Sequence, residues 1–139
     1  MPDKVFVDTN IWLYAFMGDE SEKHKIAFSI ISNTNILLST QVINEICINL
    51  IYKTDYDEDD IARLVNNIYS KYNVSLIDKQ TILLSSNIRK KYKVSYWDSL
   101  IIASAIEDEC SIIYTEDMQR GQVIEEKLKI LNPFKVQHV

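Results

Sequence analysis

Four short apolar runs dominate this sequence: KVFV at 4–7, NILLS at 35–39, NVSLI at 73–77 and CSIIYT at 110–115. Each is strand-length, and KVFV and NILLS read as buried strands. The segments between them read as helices, at 10–17, 20–32, 41–52, 57–72, 78–92 and 96–109. The clearest is 57–72, where Ile61, Leu64, Val65, Ile68, Tyr69 and Tyr72 form one stripe and the first turn is acidic. The 96–109 segment is apolar nearly all round, which predicts a buried helix. Short buried strands alternating with helices predict an α/β fold. Its form is a three-layer α/β/α sandwich on a mostly parallel sheet of four to five strands. A further short edge strand is expected in KILNPFKVQ, limited by Pro133. With 139 residues and no internal repeat or linker, one domain over 1–139 is expected.

Against that map, three acids stand alone. Asp8 is the one charge between Lys4 and Asp19, Glu45 the one between Lys25 and Lys53, and Asp98 the one between Lys93 and Glu107. Charged residues make up 25% of the chain, so such isolation needs a reason. An ionised carboxylate in apolar surroundings is costly unless paired or bound to a metal. The predicted topology supplies one. Asp8 follows the first strand, Glu45 lies in the first turns of the helix after the second, and Asp98 opens the helix leading into the fourth. Helix starts and strand carboxyl ends share one edge of a parallel sheet, and that edge is where open α/β sheets bind ligands. A fourth acid follows the last strand in YTEDM, at Asp117 or Glu116.

Plainer roles are open to most of them. Asp8 suits a helix N-cap, Ser95 to Asp98 has the form of a capping box, and Asp117 suits a turn. Glu45 has no cap role, and helical periodicity leaves its direction open. Taken together, four acids on one edge favour a metal site. Oxygen-only donors suit hard cations, Mg²⁺ or Mn²⁺, and a divalent ion relieves the mutual repulsion of crowded carboxylates. Such sites serve phosphoryl chemistry.

Other chemistries lack their parts. Two glycines cannot build a glycine-rich phosphate loop. His24 and His138 flank no acid cluster, which excludes an HExxH zinc site; His24 reads as a solvated helix residue. Cys47 and Cys110 lie in apolar stretches and read as buried free thiols. A net charge of −5 argues against a nucleic-acid coat, although a bound metal reverses the field locally. The run RKKYK is first a solvated helix end suited to the dipole. Its alternative is a phosphate contact to RNA by Arg89, Lys90, Lys91 and Lys93. No apolar run approaches a membrane span and the N-terminus has no signal-like segment, so a soluble cytoplasmic protein is expected.

These residues resemble the PIN domain. VFVDTNIWLYAF, the lone Glu45 in QVINEICINL, YWDSLIIASAI and the YTEDM turn match its ordered motifs across nearly the whole chain, and NPF at 132–134 is similar to the ending of many VapC-type toxins. The resemblance implies a Mg²⁺- or Mn²⁺-dependent endoribonuclease acting on single-stranded RNA. Asp8, Glu45, Asp98 and Asp117 match the family's acids, and Asn10 and Thr115 its supporting residues, with Glu116 an extra acid beside the last. It also implies a homodimer held inactive by a small antitoxin, as in type II toxin–antitoxin pairs. Three rival readings remain. A degenerate PIN scaffold would act through protein contacts alone. A haloacid-dehalogenase-like phosphatase wants an acid at position 10, which is Asn. A response-regulator receiver would use Asp78, but no matching lysine follows a late strand.

Overall fold

The computed structural model describes residues 3–18, 21–33, 35–118 and 122–135. Six strands form one sheet in the order β3-β2-β1-β4-β6-β5. The strands are β1 (Val5–Val7), β2 (Ile36–Ser39), β3 (Asn73–Ser75), β4 (Ile112–Tyr114), β5 (Val123–Ile124) and β6 (Leu128–Leu131). All neighbours pair in parallel except β5, which runs antiparallel to β6. Val5 of the central β1 aligns with Ile36 on one side and Ile112 on the other. Helices α1 (Thr9–Phe16), α2 (Glu22–Ile31), α3 (Thr40–Lys53), α4 (Glu58–Lys71), α5 (Lys79–Lys91) and α6 (Tyr96–Glu107) flank this sheet. α1 packs on α2 and α3, and α5 packs on α6. No helix among the described residues is long and apolar enough to cross a membrane.

The apolar runs are strands because both sheet faces are covered. β1 and β2 are buried throughout, and Phe6, Val7, Leu38 and Ile113 have no exposed surface. α6 is buried from Ser99 to Ala105, in line with its apolar circumference. Trp12 is fully buried, and its indole N–H donates to the Val7 carbonyl at 2.9 Å. α4 starts in a reciprocal box, in which the Asp57 carboxylate accepts the Asp60 N–H and the Asp60 carboxylate accepts the Asp57 N–H. Its stripe is narrower than expected, since Tyr69 faces solvent at 53% exposure.

The C-terminal strands depart from expectation. β6 is not an edge strand: it lies between β4 and β5 and stops before Pro133. The two-residue β5 raises the count to six. It reverses into β6 through Glu125 and Glu126, both at positive φ (53° and 59°), with Lys127 N–H bonded to the Ile124 carbonyl. That is the geometry of a primed hairpin turn, ordinarily signalled by Asn or Gly. A Glu-Glu pair gives no such signal.

Candidate functional site

The carboxyl ends of β1 and β4 carry the centre of the site. The ladder runs one step past each strand: Asp8 N–H donates to the Tyr114 carbonyl at 3.0 Å, and Thr115 N–H to the Leu131 carbonyl at 2.9 Å. This holds Asp8 and Thr115 side by side, both buried. Asp8 is indeed the N-cap of α1: its Oδ1 accepts the Thr9 N–H at 2.7 Å. The other oxygen, Oδ2, accepts the Thr115 hydroxyl at 2.7 Å.

Glu45 lies in the second turn of α3, half-buried, and turns toward this edge. Its Oε1 accepts the Thr9 hydroxyl at 2.5 Å, and its Oε2 accepts an N–H of Gln41 at 3.3 Å. Gln41 also donates to the Trp97 carbonyl at 3.3 Å. Asp98 stands in the first turn of α6, whose N-cap Ser95 accepts the Asp98 N–H. The Ser95 side chain also meets the Asp98 carboxylate, which lies close enough to Asp117 and Glu45 to feel their charges. Asp117 accepts the Asn10 amide at 2.9 Å, and its own N–H donates to the Thr115 hydroxyl.

The acids feel one another. Burial pushes the Asp8 carboxyl up to about 6; the bonds from Thr115 and Thr9 oppose this, and the charges of Glu45 and Asp98 add to it. Asp98 is raised as well, first by burial and then by Asp117 and Glu45, with Ser95 opposing. Glu116, the extra acid, is turned elsewhere. It accepts from the Tyr14 hydroxyl at 2.7 Å and pairs with Lys23, whose ammonium also lies over the Tyr14 and Phe134 rings. Partial burial works against its charge, but those two bonds hold it below the ordinary carboxylate range. Of the two adjacent acids, Asp117 is therefore the one that faces the cluster.

The donors fit a hard cation in kind: carboxylates and hydroxyls, with neither thiol nor imidazole at the edge among the described residues. His24 is half-buried on α2, and its Nδ1 donates to the Tyr14 carbonyl at 2.9 Å, so it is not the solvated residue expected. His138 lies outside the described residues. Cys110 is buried, which pushes its thiol up to about 12, whereas Cys47 is only half-buried; both are free. Among the described residues, no three acidic, histidine or cysteine side chains lie close enough together to enclose a metal as they stand. Hydrogen bonds from Thr9, Thr115, Gln41 and Asn10 hold three of the carboxylates in their present orientations.

The basic run divides. Arg89 is built into the fold, donating to the Ser85 and Ser99 hydroxyls at 3.1 and 2.7 Å and lying 4.5 Å over the Tyr96 ring. Lys91 pairs with Glu125 at 3.0 Å. Lys90 and Lys93 are exposed. Thr9, Gln41, Tyr14 and Lys23 were not singled out by sequence as parts of the site. Gln41 stands one helical turn before Glu45, the spacing of two side chains on one face, and this was the available signal.

The family model for the PIN domain matches residues 5–123. No curated protein matches the sequence. Among solved structures, a toxin–antitoxin complex from Klebsiella pneumoniae superposes with a TM-score of 0.73 at 18% identity, covering 96% of this chain and 100% of that one. VapC20 from Mycobacterium tuberculosis, described as a sarcin-ricin loop cleaving toxin, gives 0.67 at 15% identity, covering 82% and 90%. DNA-bound VapBC from Salmonella typhimurium gives 0.66 at 19%, covering 95% and 99%. At these identities the likeness is one of fold.

Proposed function

Because this chain belongs to the PIN domain family, we propose that it is a Mg²⁺- or Mn²⁺-dependent endoribonuclease that hydrolyses single-stranded RNA in the cytoplasm. The observation that carries this reading is electrostatic. Asp8 and Asp98 both hold their protons above the ordinary range, first through burial and then through neighbouring acids, Glu45 and Asp98 acting on Asp8, and Asp117 and Glu45 on Asp98. Carboxylates that repel across one sheet edge are a site for a divalent ion. Asp8 and Asp98 would be its central ligands, with Glu45 and Asp117 completing the set directly or through water. When bound, the ion supplies charge neutralisation at the phosphate and a water acidic enough to deprotonate near neutral pH.

The chain's own groups do the positioning. Thr115 and the Thr9 N–H fix both oxygens of Asp8, the Thr9 hydroxyl aims Glu45, and Asn10 aims Asp117. Glu45 or Asp117 would take the proton of the attacking water. Glu116 anchors the loop rather than joining the ligands. Lys90 and Lys93 are left to meet phosphates at the rim. That structural neighbours are toxins and toxin–antitoxin complexes supports a toxin role with a small antitoxin as partner; the working form in this reading is a homodimer. A dehalogenase-like phosphatase is disfavoured by Asn10, whose amide serves Asp117 and the Glu116 N–H instead of supplying an acid.

The test is RNA cleavage by wild type and Asp98→Asn with Mg²⁺ or Mn²⁺. The variant should lose at least ~100-fold in rate, and excess EDTA should abolish cleavage. Full activity in either case overturns the proposal. A degenerate scaffold is the reading favoured if calorimetry detects no metal binding.

A further inference from the structure

Beside the acid edge lies an open groove of about 500 Å³, between the starts of α3 and α6 and the outer face of α5. Glu45 belongs to its wall. Thr40, Gln41 and Asn44 line it from α3, Tyr96 and Trp97 from α6, and Ile82 from α5. Trp97 is 61% exposed and directly precedes Asp98. Its ring meets Tyr96 edge-to-face, with centroids 5.1 Å apart. Tyr96 is held in turn by the Arg89 guanidinium over its ring, and Arg89 by Ser85 and Ser99. The exposed indole therefore stands on a fixed base, and a rigid aromatic loses little entropy when it binds.

Two further features define what the groove takes. Glu45 is the one charged residue among the described residues that line it, so nothing there matches a phosphate. A flat, neutral heterocycle is the better fit. The carboxamide of Gln41, only 9% exposed, gives its N–H groups to the Glu45 carboxylate and the Trp97 carbonyl. Both partners only accept, so the amide cannot be turned the other way. Its Oε1 is left buried with no partner. An unmet acceptor beside an aromatic platform favours a ligand that brings an N–H donor.

We propose that this groove is a nucleobase subsite. One base of the single-stranded substrate stacks on Trp97, and Gln41 and Asn44 read its edge. Glu45 is shared by groove and acid edge and Trp97 adjoins Asp98, so the stacked base directs its neighbouring phosphodiester at the acids. The inference rests on the ribonuclease reading for its substrate, but its first test does not need cleavage.

Trp12 and Trp97 are the two tryptophans, one fully buried and one exposed. Two indole N–H signals are therefore expected in a ¹⁵N-correlated NMR spectrum of the full chain. Millimolar adenosine or cytidine, which carry no phosphate, should shift the Trp97 signal saturably and leave Trp12 unmoved. Ribose alone should shift neither. In cleavage assays Trp97→Ala should raise KM on the order of 10-fold, the scale of one base–aromatic stack, with a smaller fall in kcat. Trp97→Phe should recover most of the loss. Nucleoside binding without RNA cleavage would uphold the subsite and sink the ribonuclease reading. Cleavage with an unmoved Trp97 signal and an unchanged KM would overturn the subsite alone. A changed molecular mass of Trp97→Ala by light scattering would assign this face to a second copy and overturn it as well.

Discussion

Asp8→Asn is expected to stabilise the metal-free protein at neutral pH while destroying the site. The Asp8 carboxyl titrates at about 6 in the fold against 3.8 for a free side chain. Below pH 3.8 both folded and unfolded chains hold this proton, and it costs the fold nothing. Between the two values the folded chain binds the proton and the unfolded chain releases it, so stability falls as pH rises. Above about 6 both are ionised and the full difference is expressed. At about 1.36 kcal/mol per pH unit, the gap amounts to ~3 kcal/mol. Asparagine keeps the shape and removes the charge. The bonds to the ionised form are already contained in the shifted value, so what asparagine adds is one mismatched neutral contact, its Nδ2 facing either the Thr9 N–H or the Thr115 hydroxyl, at a cost of ~1 kcal/mol. The net gain is ~2 kcal/mol, or roughly 5–10 °C in Tm for a chain of this size. Urea unfolding in EDTA from pH 4 to pH 8 measures it. The variant should exceed wild type at pH 7 and lose its advantage by pH 4. Added Mg²⁺ should stabilise wild type more than the variant, because a ligand of the native state acts by mass action. Equal stability at pH 7, or an advantage that persists at pH 4, would refute the reasoning.

Glu116→Gln should cost cleavage less than ~10-fold, because Glu116 anchors a loop through Tyr14 and Lys23; a loss as deep as that of Asp117→Asn in the same assay would make Glu116 a ligand. Arg89→Ala should destabilise by ~2 kcal/mol in urea unfolding, since it removes donors to two buried serines and a cation over Tyr96. Arg89→Lys should restore only part of this, lacking the fork that reaches both hydroxyls. A loss below ~0.5 kcal/mol for Arg89→Ala would place Arg89 among ordinary surface residues.

The two central strands were legible because burial on both faces demands apolar residues: VFV is apolar throughout and ILLS as far as its last residue, Ser39. The edge of the acids was legible by topology: in a parallel sheet, chain order alone decides that residues after strands and at helix starts meet. β5 was not, because two residues make no pattern and Glu125–Glu126 make an unsignalled turn. The side-chain partners were hidden for another reason. Neutral polar residues leave no isolated charge to notice, so Thr9 and Gln41 passed as ordinary helix-start residues. The choice between Glu116 and Asp117 depended on Lys23, which belongs to α2 and is 93 positions away in sequence.

Asp8 shows why a capping role and a functional role need not compete. The cap consumes one oxygen and thereby fixes the plane of the carboxylate; Thr115 fixes the other. Thr9 then passes the arrangement on, because its N–H is bound to Asp8 and its hydroxyl to Glu45. Gln41 continues from Glu45 to the Trp97 carbonyl, one residue before Asp98. A single chain of hydrogen bonds thus joins the end of β4, the β1–α1 junction, α3 and the start of α6. Asp8 and Glu45 are held by the same polar contacts that secure these element ends to one another. An arrangement of this kind sets like charges side by side at a cost in stability. That cost persists in the fold only because the surrounding elements over-determine the geometry.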